Sequence, residues 1–272
     1  AGLKVTQTNF SPGGGFSYQI RGGSSINQSN APIIIIDGVN REMTGLNPND
    51  IESIEVLKDA SASAIYGARG ANGVILVTTK KGRNQQGTVR LSATFSLQNP
   101  EQAYTMLNGR QLAQLGKEAY ENSSMSVPAY FQDPESVVTR TNWMDEIFRT
   151  AVTQNYQINF SGGSEKVNYN FSAGYFDQEG ILIKTDFTRY TFRGQIDADV
   201  NRYIGFGSTV GYSQVQTEGY GNANSGLALI AMAQDMNPAL PVFDENGEYT
   251  FRNNLSSSTG VNGGNPVATA HK

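Results

Sequence analysis

A formal net charge of -4 over 272 residues argues against nucleic acid as the main partner, because phosphate recognition needs a basic surface. Cysteine is absent, which excludes a disulfide framework, a zinc knuckle and thiol chemistry. Charged residues are 16% of the chain against roughly 25% in an ordinary soluble domain, and 30 glycines with 13 tyrosines point to β-structure.

No apolar run approaches the roughly 18 residues of a membrane helix. That leaves membrane β-strands open, since their lipid-facing and lumen-facing residues alternate. The chain starts at AGLKV with no initiator methionine and no signal-peptide pattern, and is expected to be an internal or processed segment.

In chain order, residues 16–21 (FSYQIR) alternate and predict a strand ending at Gly22-Gly23. Residues 32–37 hold four consecutive isoleucines, a strand dry on both faces that needs cover on both, with Asp37-Gly38 as its turn. Residues 51–57 (IESIEVL) predict an alternating strand. Asp59 is a candidate N-cap for a short Ala/Ser helix that stops at Gly67. Residues 74–79 predict a further β-branched strand before Lys80-Lys81-Gly82. Glycines at 67, 70 and 73 raise a phosphate-loop reading, but the spacing is GxxGxxG and the segment precedes a strand, the wrong order for a dinucleotide turn. Close packing of backbone is the preferred explanation.

The segments IRGGSSINQSNAPIIIIDGV (20–39), LNPNDIESIEVLKDASASAIYG (46–67) and GANGVILVTTKKG together resemble the plug signature of TonB-dependent outer-membrane transporters, in the SusC/RagA-like branch. Asp59-Ala60-Ser61 stands where other TonB-dependent receptors usually carry Gly-Pro. A TonB box and the small extra N-terminal domain usual in the branch are not among these residues.

The remaining sequence was read for faces independently of that resemblance. Residues 88–97, 152–161, 166–175, 190–199 and 204–213 each alternate. Val89, Leu91, Phe95, Tyr156, Ile158, Phe160, Tyr169, Phe171, Tyr175, Tyr190, Phe192, Phe206, Val210 and Tyr212 fall on the apolar faces, and every charge falls on the other. A Lys or Arg on a lipid face would cost about 2–4 kcal/mol at the midplane. The connections run long (99–150), short (SGGSE), medium (177–188), short (around 200–202) and long again (216–272), matching the long outer loops and short periplasmic turns of a membrane barrel. That topology puts Tyr156, Tyr175, Tyr190 and Tyr212 at the outer ends of lipid-facing strands as an aromatic girdle, against the plainer reading of tyrosine β-propensity.

Within the long connections, 102–121 and 226–236 have helical character, and FDENGEY (243–249) predicts a hairpin on Asn246-Gly247 whose glycine is misplaced for an EF-hand. The apolar 226–236 stripe is expected to be core, with a partner-facing patch as the sharper alternative. His271 is the only histidine, which leaves no triad or histidine-metal cluster, and the Asp197/Asp199 pair is expected to be lumen wall rather than an acid–base site. No enzyme activity, catalytic residue, metal or cofactor is expected.

The fold class expected is a membrane β-barrel, all-β and antiparallel, with a small α+β plug domain inside the lumen: plug 1–82, then 83–272 as the N-terminal portion of a barrel of about 22 strands, of which only about five are here. The resemblance implies plug-gated, TonB-dependent import of an oligosaccharide or peptide across the Gram-negative outer membrane, with a SusD-like surface lipoprotein and TonB as partners and lipid around the wall. A TonB-dependent siderophore or signalling receptor and a soluble β-rich binding module are the alternatives. Within the plug, Arg21, Gly22, Gly23, Asp37, Gly38, Lys58, Asp59, Tyr66, Gly67, Arg69, Gly70, Asn72 and Gly73 are expected to seat or gate it. Arg90, Arg193, Asp197 and Asp199 are the expected partners on the lumen wall.

Overall fold

The computed structural model describes residues 3–7, 11–20, 31–58, 66–101, 105–220, 223–250 and 264–271. The chain divides into two compact units, one of residues 1–96, 152–179 and 186–217, the other of 97–151, 180–185 and 218–272.

The first unit opens with an antiparallel pair, β1 (Lys4–Gln7) and β2 (Phe16–Gln19). A four-stranded mixed sheet follows, made of β3 (Ile33–Ile36), β4 (Val39–Asn40), β5 (Ile51–Leu57) and β6 (Val74–Thr79), in the order β4-β3-β6-β5. The isoleucine strand is interior and runs parallel to β6. Its side chains alternate between two clusters. Ile36 packs with Ile20, Ile75 and Val77, joined by Ile34, while Ile35 packs with Val74, joined by Ile33, Leu57 and Tyr66. Both faces are covered, which is why the strand carries no polar residue.

Asp37 (φ 49°) and Gly38 (φ 84°) are both left-handed and close a two-residue hairpin between Ile36 and Val39, the type I′ geometry that Asp-Gly favours. β5 departs from the clean alternation expected of it. A register shift between Ile51 and Ser53 resets its faces, and Ile54 is left exposed.

Five strands then form one antiparallel sheet in chain order: β7 (Thr88–Gln98), β8 (Ala151–Gly163), β9 (Val167–Glu179), β10 (Asp186–Asn201) and β11 (Ile204–Glu218). The strands outrun their expected ends, so the expected 177–188 connection shrinks to the residues between Glu179 and Asp186. Asp177, Gln178 and Glu179 continue the ladder opposite Thr188, Phe187 and Asp186, where the apolar alternation has already lapsed.

Burial in this sheet is inverted relative to a water-soluble protein. On β8–β10 the polar face supplies the buried residues, Asn170, Ser172, Arg193 and Gln195, while Tyr156, Ile158, Phe160, Tyr190, Phe192 and Ile196 are exposed. Phe192 is 47% and Phe206 58% exposed, so they do not meet inside a closed two-sheet core. This overturns the soluble-module alternative. Among the described residues no helix is long and apolar enough to cross a membrane, which says nothing of spans made by strands.

The second unit gathers the connections. Helix α1 (Gly109–Asn122) starts in a capping box, Asn108 and Gln111 each accepting the other's backbone N–H. Short helices α2 (Ala129–Gln132) and α3 (Trp143–Ile147) precede β8, and α4 (Ala223–Asp235) and α5 (Pro266–Ala270) follow β11. Trp143, Met144, Ile147, Leu229, Ala233, Met236, Val267 and Ala270 form one core, and the Trp143 indole N–H donates to the Asn237 carbonyl at 2.9 Å. Leu229, Ala233 and Met236 of the 226–236 stripe are therefore core and Ile230 packs against them, while Leu227 and Ala228 remain exposed. The expected hairpin is present as a Phe243–Tyr249 bridge turning at Asn246-Gly247, with Gly247 at φ 79°.

Candidate plug–wall site

The first unit brings the plug sheet against the polar face of β8, β9 and β10, and the ladder register arranges the contact in rows. Asn159, Ser172 and Arg193 are cross-strand neighbours in one row. Arg193 reaches from it to the Asp37 carboxylate and donates a further bond to the Thr79 hydroxyl at 2.8 Å. Thr79, the last residue of β6, donates its backbone N–H (2.9 Å) and hydroxyl (2.8 Å) to Asp37. The Arg193 side chain is 6% exposed and that of Asp37 22%, so the pair is shielded from water on the arginine side. Burial would raise the Asp37 carboxyl, but the two Thr79 bonds and the Arg193 charge outweigh it and hold it below the ordinary carboxylate range.

Gln157, Gly174 and Thr191 form the adjacent row. Here the plug inserts Asn47, which is 5% exposed and donates to the Thr191 hydroxyl at 3.3 Å. Gly174 makes room for it, since a Cβ there would stand 2.6 Å from the Asn47 amide nitrogen. Asn47 also caps the short 3-10 helix Pro48–Asp50 by accepting from Asn49 N–H at 3.0 Å. Asp50, 4% exposed, ends that helix and accepts from the Gln157 amide at 3.4 Å. Burial pushes the Asp50 carboxyl up, and the Ser172 hydroxyl with the charges of Arg193, Lys80 and Arg189 offset only part of that. Nearer the short turns, the Asn170 amide donates to the Lys80 carbonyl at 3.1 Å.

Asn155, Phe176 and Arg189 make the row on the other side of the Asn47 notch, towards the long connections. With Phe187 and Gln178 they line one wall of a cavity of about 1180 Å³. Its other wall is plug: β2, the segment from Asn40 to Thr44, and Leu46 to Asn49. The Arg189 guanidinium lies over the Phe176 ring, 5.4 Å from its centroid, and Phe187 meets Phe176 edge-on at 5.9 Å.

Of the residues singled out in the sequence, Asp37 and Arg193 come together. Arg90 is exposed on β7, Asp197 accepts from Gln195 on its own strand at 2.9 Å, and Asp199 is exposed with its backbone N–H bonded to Lys166. Tyr66 packs on the plug core, Lys58 and Asn72 are half-buried, and Gly70 accepts from Gly73 N–H at 2.9 Å. Gly67 is left-handed at φ 65°, and the Ala/Ser helix expected before it lies outside the described residues. Gly73, at φ 91°, faces the Ile20 side chain and has no room for a Cβ, which is the packing explanation rather than a phosphate loop. Arg21, Gly22, Gly23, Asp59 and the Arg69 side chain lie outside the described residues. Tyr156, Tyr175 and Tyr190 are direct partners across three strands, with ring centroids 6.2 and 5.1 Å apart, and Phe95 extends the row at 5.5 Å. Tyr212 is exposed on β11. Sequence reading missed Asn47, Asp50, Thr79, Arg189 and Thr191. The available signal was the polar half of each alternating strand and the turn-forming NPND segment.

A family model for the TonB-dependent receptor plug domain matches residues 1–74. The chain is 37% identical to TonB-dependent receptor P3 of Formosa agariphila over 99% of its own length, and 34% identical to the TonB-dependent receptor SusC of Bacteroides thetaiotaomicron over 96%.

The chain belongs to the SusC/RagA-like TonB-dependent receptors.

It spans 26% of the length of either of those receptors, namely plug and opening barrel strands. A solved structure of the RagAB peptide transporter superimposes with a TM-score of 0.74 at 28% identity, covering 99% of this chain and 34% of that one. The strands of this TonB-dependent receptor are therefore outer-membrane barrel wall, with the apolar face towards lipid and the polar face towards the lumen that holds the plug. Its relatives are receptors and transporters, not enzymes.

Proposed function

We propose that the receptor imports a large nutrient, an oligosaccharide or peptide, across the outer membrane by TonB-dependent opening of the plug, with a SusD-like surface lipoprotein as its co-receptor. The observation that carries this reading is the polar, buried contact between plug and wall. A permanent stopper would be expected to meet the wall through apolar packing. Among the described residues the contact is made by an ion pair, amide and hydroxyl bonds, and a cavity. Such contacts exchange for water at small net cost, which suits a plug that must be displaced and reseated. The likeness to the RagAB peptide transporter supports transport, and the likeness to the TonB-dependent receptors P3 and SusC supports TonB dependence.

Seating or gating roles are proposed for Asp37 and Arg193 directly, and for Arg21, Lys58, Asp59, Tyr66, Arg69 and Asn72 within the plug. The test is growth and uptake of the full-length receptor's nutrient with and without TonB, and with the proton-motive force dissipated. Uptake should stop in both cases, and a lipoprotein should co-purify with the receptor. TonB-independent uptake would overturn the reading, and uptake of a ferric siderophore without a lipoprotein partner would favour the alternative receptor class.

A further inference from the structure

The cavity between plug and wall has a composition that selects among ligands. Its lining charges are Arg41, Glu42 and Arg189. Arg189 is fixed in place, stacked on its cross-strand neighbour Phe176 and donating a long hydrogen bond of 3.4 Å to the Leu46 carbonyl. The acidic group coupled to it from the plug is Asp50, whose burial disfavours the charged form and whose oxygens already engage Gln157 and Ser172. Arg189 thus keeps both positive charge and donor capacity towards the cavity. A planar guanidinium held this way matches a carboxylate in bidentate fashion.

The opposite wall adds a second feature. Phe16, Ser17 and Tyr18 of β2 line the cavity, and among the described residues β2 pairs only with β1. A strand paired on one edge can accept an extended peptide through main-chain hydrogen bonds. Phe16 is 55% exposed beside it, available to a ligand side chain, whereas Phe187 is buried against Gly13 and Phe176 is covered by Arg189. The wall aromatics are therefore already occupied and offer no open platform to a sugar ring.

We propose that this cavity is a subsite for an acidic peptide, bound extended along β2 with a carboxylate on Arg189, and that Arg189 determines specificity for it. The inference rests on the import reading, and binding is measured separately from uptake so that the two can fail separately. The full-length receptor, purified from outer membranes, is titrated calorimetrically with a glutamate-containing hexapeptide, its glutamine counterpart and an oligogalacturonate. The wild type should prefer the glutamate peptide by tenfold or more, with the preference falling as salt rises. Arg189→Gln should remove the preference between the two peptides, and Arg189→Lys should retain part of it. Equal wild-type affinity for the two peptides would overturn the proposal, whether or not the variants assemble. So would a preference that survives Arg189→Gln, or tighter binding of oligogalacturonate than of either peptide. Binding as proposed without TonB-dependent uptake would leave the subsite standing and remove the import reading.

Discussion

Asp37 and Arg193 stand 156 positions apart and form an ion pair, the aspartate on the left-handed turn of the plug's driest strand and the arginine on the lumen face of β10. Thr79 bonds to both, so three side chains from two sheets make one closed unit. Plug and wall together satisfy the Asp37 carboxylate, and the seat is specified by geometry as well as by charge.

Removing Arg193 leaves Asp37 with its two Thr79 bonds but without its countercharge. Arg193→Ala is expected to lower plug stability by about 1.5–3 kcal/mol, the range for hydrogen bonds to charged groups. It should raise outer-membrane leak of antibiotics too large for ordinary porins. The measurement is antibiotic susceptibility alongside receptor level, and a double-mutant cycle with Asp37→Asn should show coupling. Unchanged leak at normal receptor level would refute the seating role.

Gly174→Ala tests the notch. The added methyl would meet the Asn47 amide at 2.6 Å and the Thr191 hydroxyl at 2.8 Å, an overpacking strain of about 1–3 kcal/mol. Combining it with Asn47→Gly removes the obstruction and should restore part of the plug's protease resistance. A double variant no better than Gly174→Ala would show that the notch does not receive Asn47.

The two plug carboxyls give opposite pH signatures. Asp37 is depressed in the folded state. Its stabilisation is fully present above the unfolded value of about 3.9 and is lost as pH falls through the lower folded value. Asp50 is raised. Its favourable contribution is present below about 3.9 and is lost as pH rises through the higher folded value. At pH 7, then, Asp37→Asn should destabilise the plug, while Asp50→Asn should be neutral or stabilising and should flatten the stability loss just above pH 4. Denaturation midpoints of the full-length receptor across pH 3–8 check both signs.

The inverted burial of the wall predicts where a charge is tolerated. Phe192→Arg places a guanidinium on the lipid face and should cost about 2–4 kcal/mol if near the midplane. Thr94→Arg, on the polar face of β7, should cost far less. Heat-modifiable mobility of the receptor in outer-membrane extracts reports assembly of each variant, and equal assembly would contradict the face assignment.

Much of this was legible in the sequence because two periodicities are rigid. Isoleucines 33–36 without a polar break required two covered faces, and Ile36 and Ile35 have them. Alternation through Tyr156, Phe171 and Phe192 fixed the wall's faces because a one-residue slip would reverse them all. The reading failed where no periodicity is involved. Beyond Tyr175 the ladder sets Phe176 and Phe187 on the face that is otherwise polar, which breaks the face signal at the strand ends. Asn47 and Asp50 look like ordinary turn residues, and only tertiary contact with Gly174, Thr191 and Gln157 gives them partners. Arg90, Asp197 and Asp199 share Arg193's face, but only Arg193 falls on the row that meets the Asp37 turn.

The span from Asp37 to Arg193 also dictates an order of events during biogenesis. Chains emerge amino end first, so the isoleucine strand and its turn leave the ribosome, and cross the inner membrane, well before the fourth wall strand exists. Until β10 arrives, the aspartate lacks the guanidinium it pairs with in the folded receptor, so this fastening of the plug cannot precede the fourth wall strand.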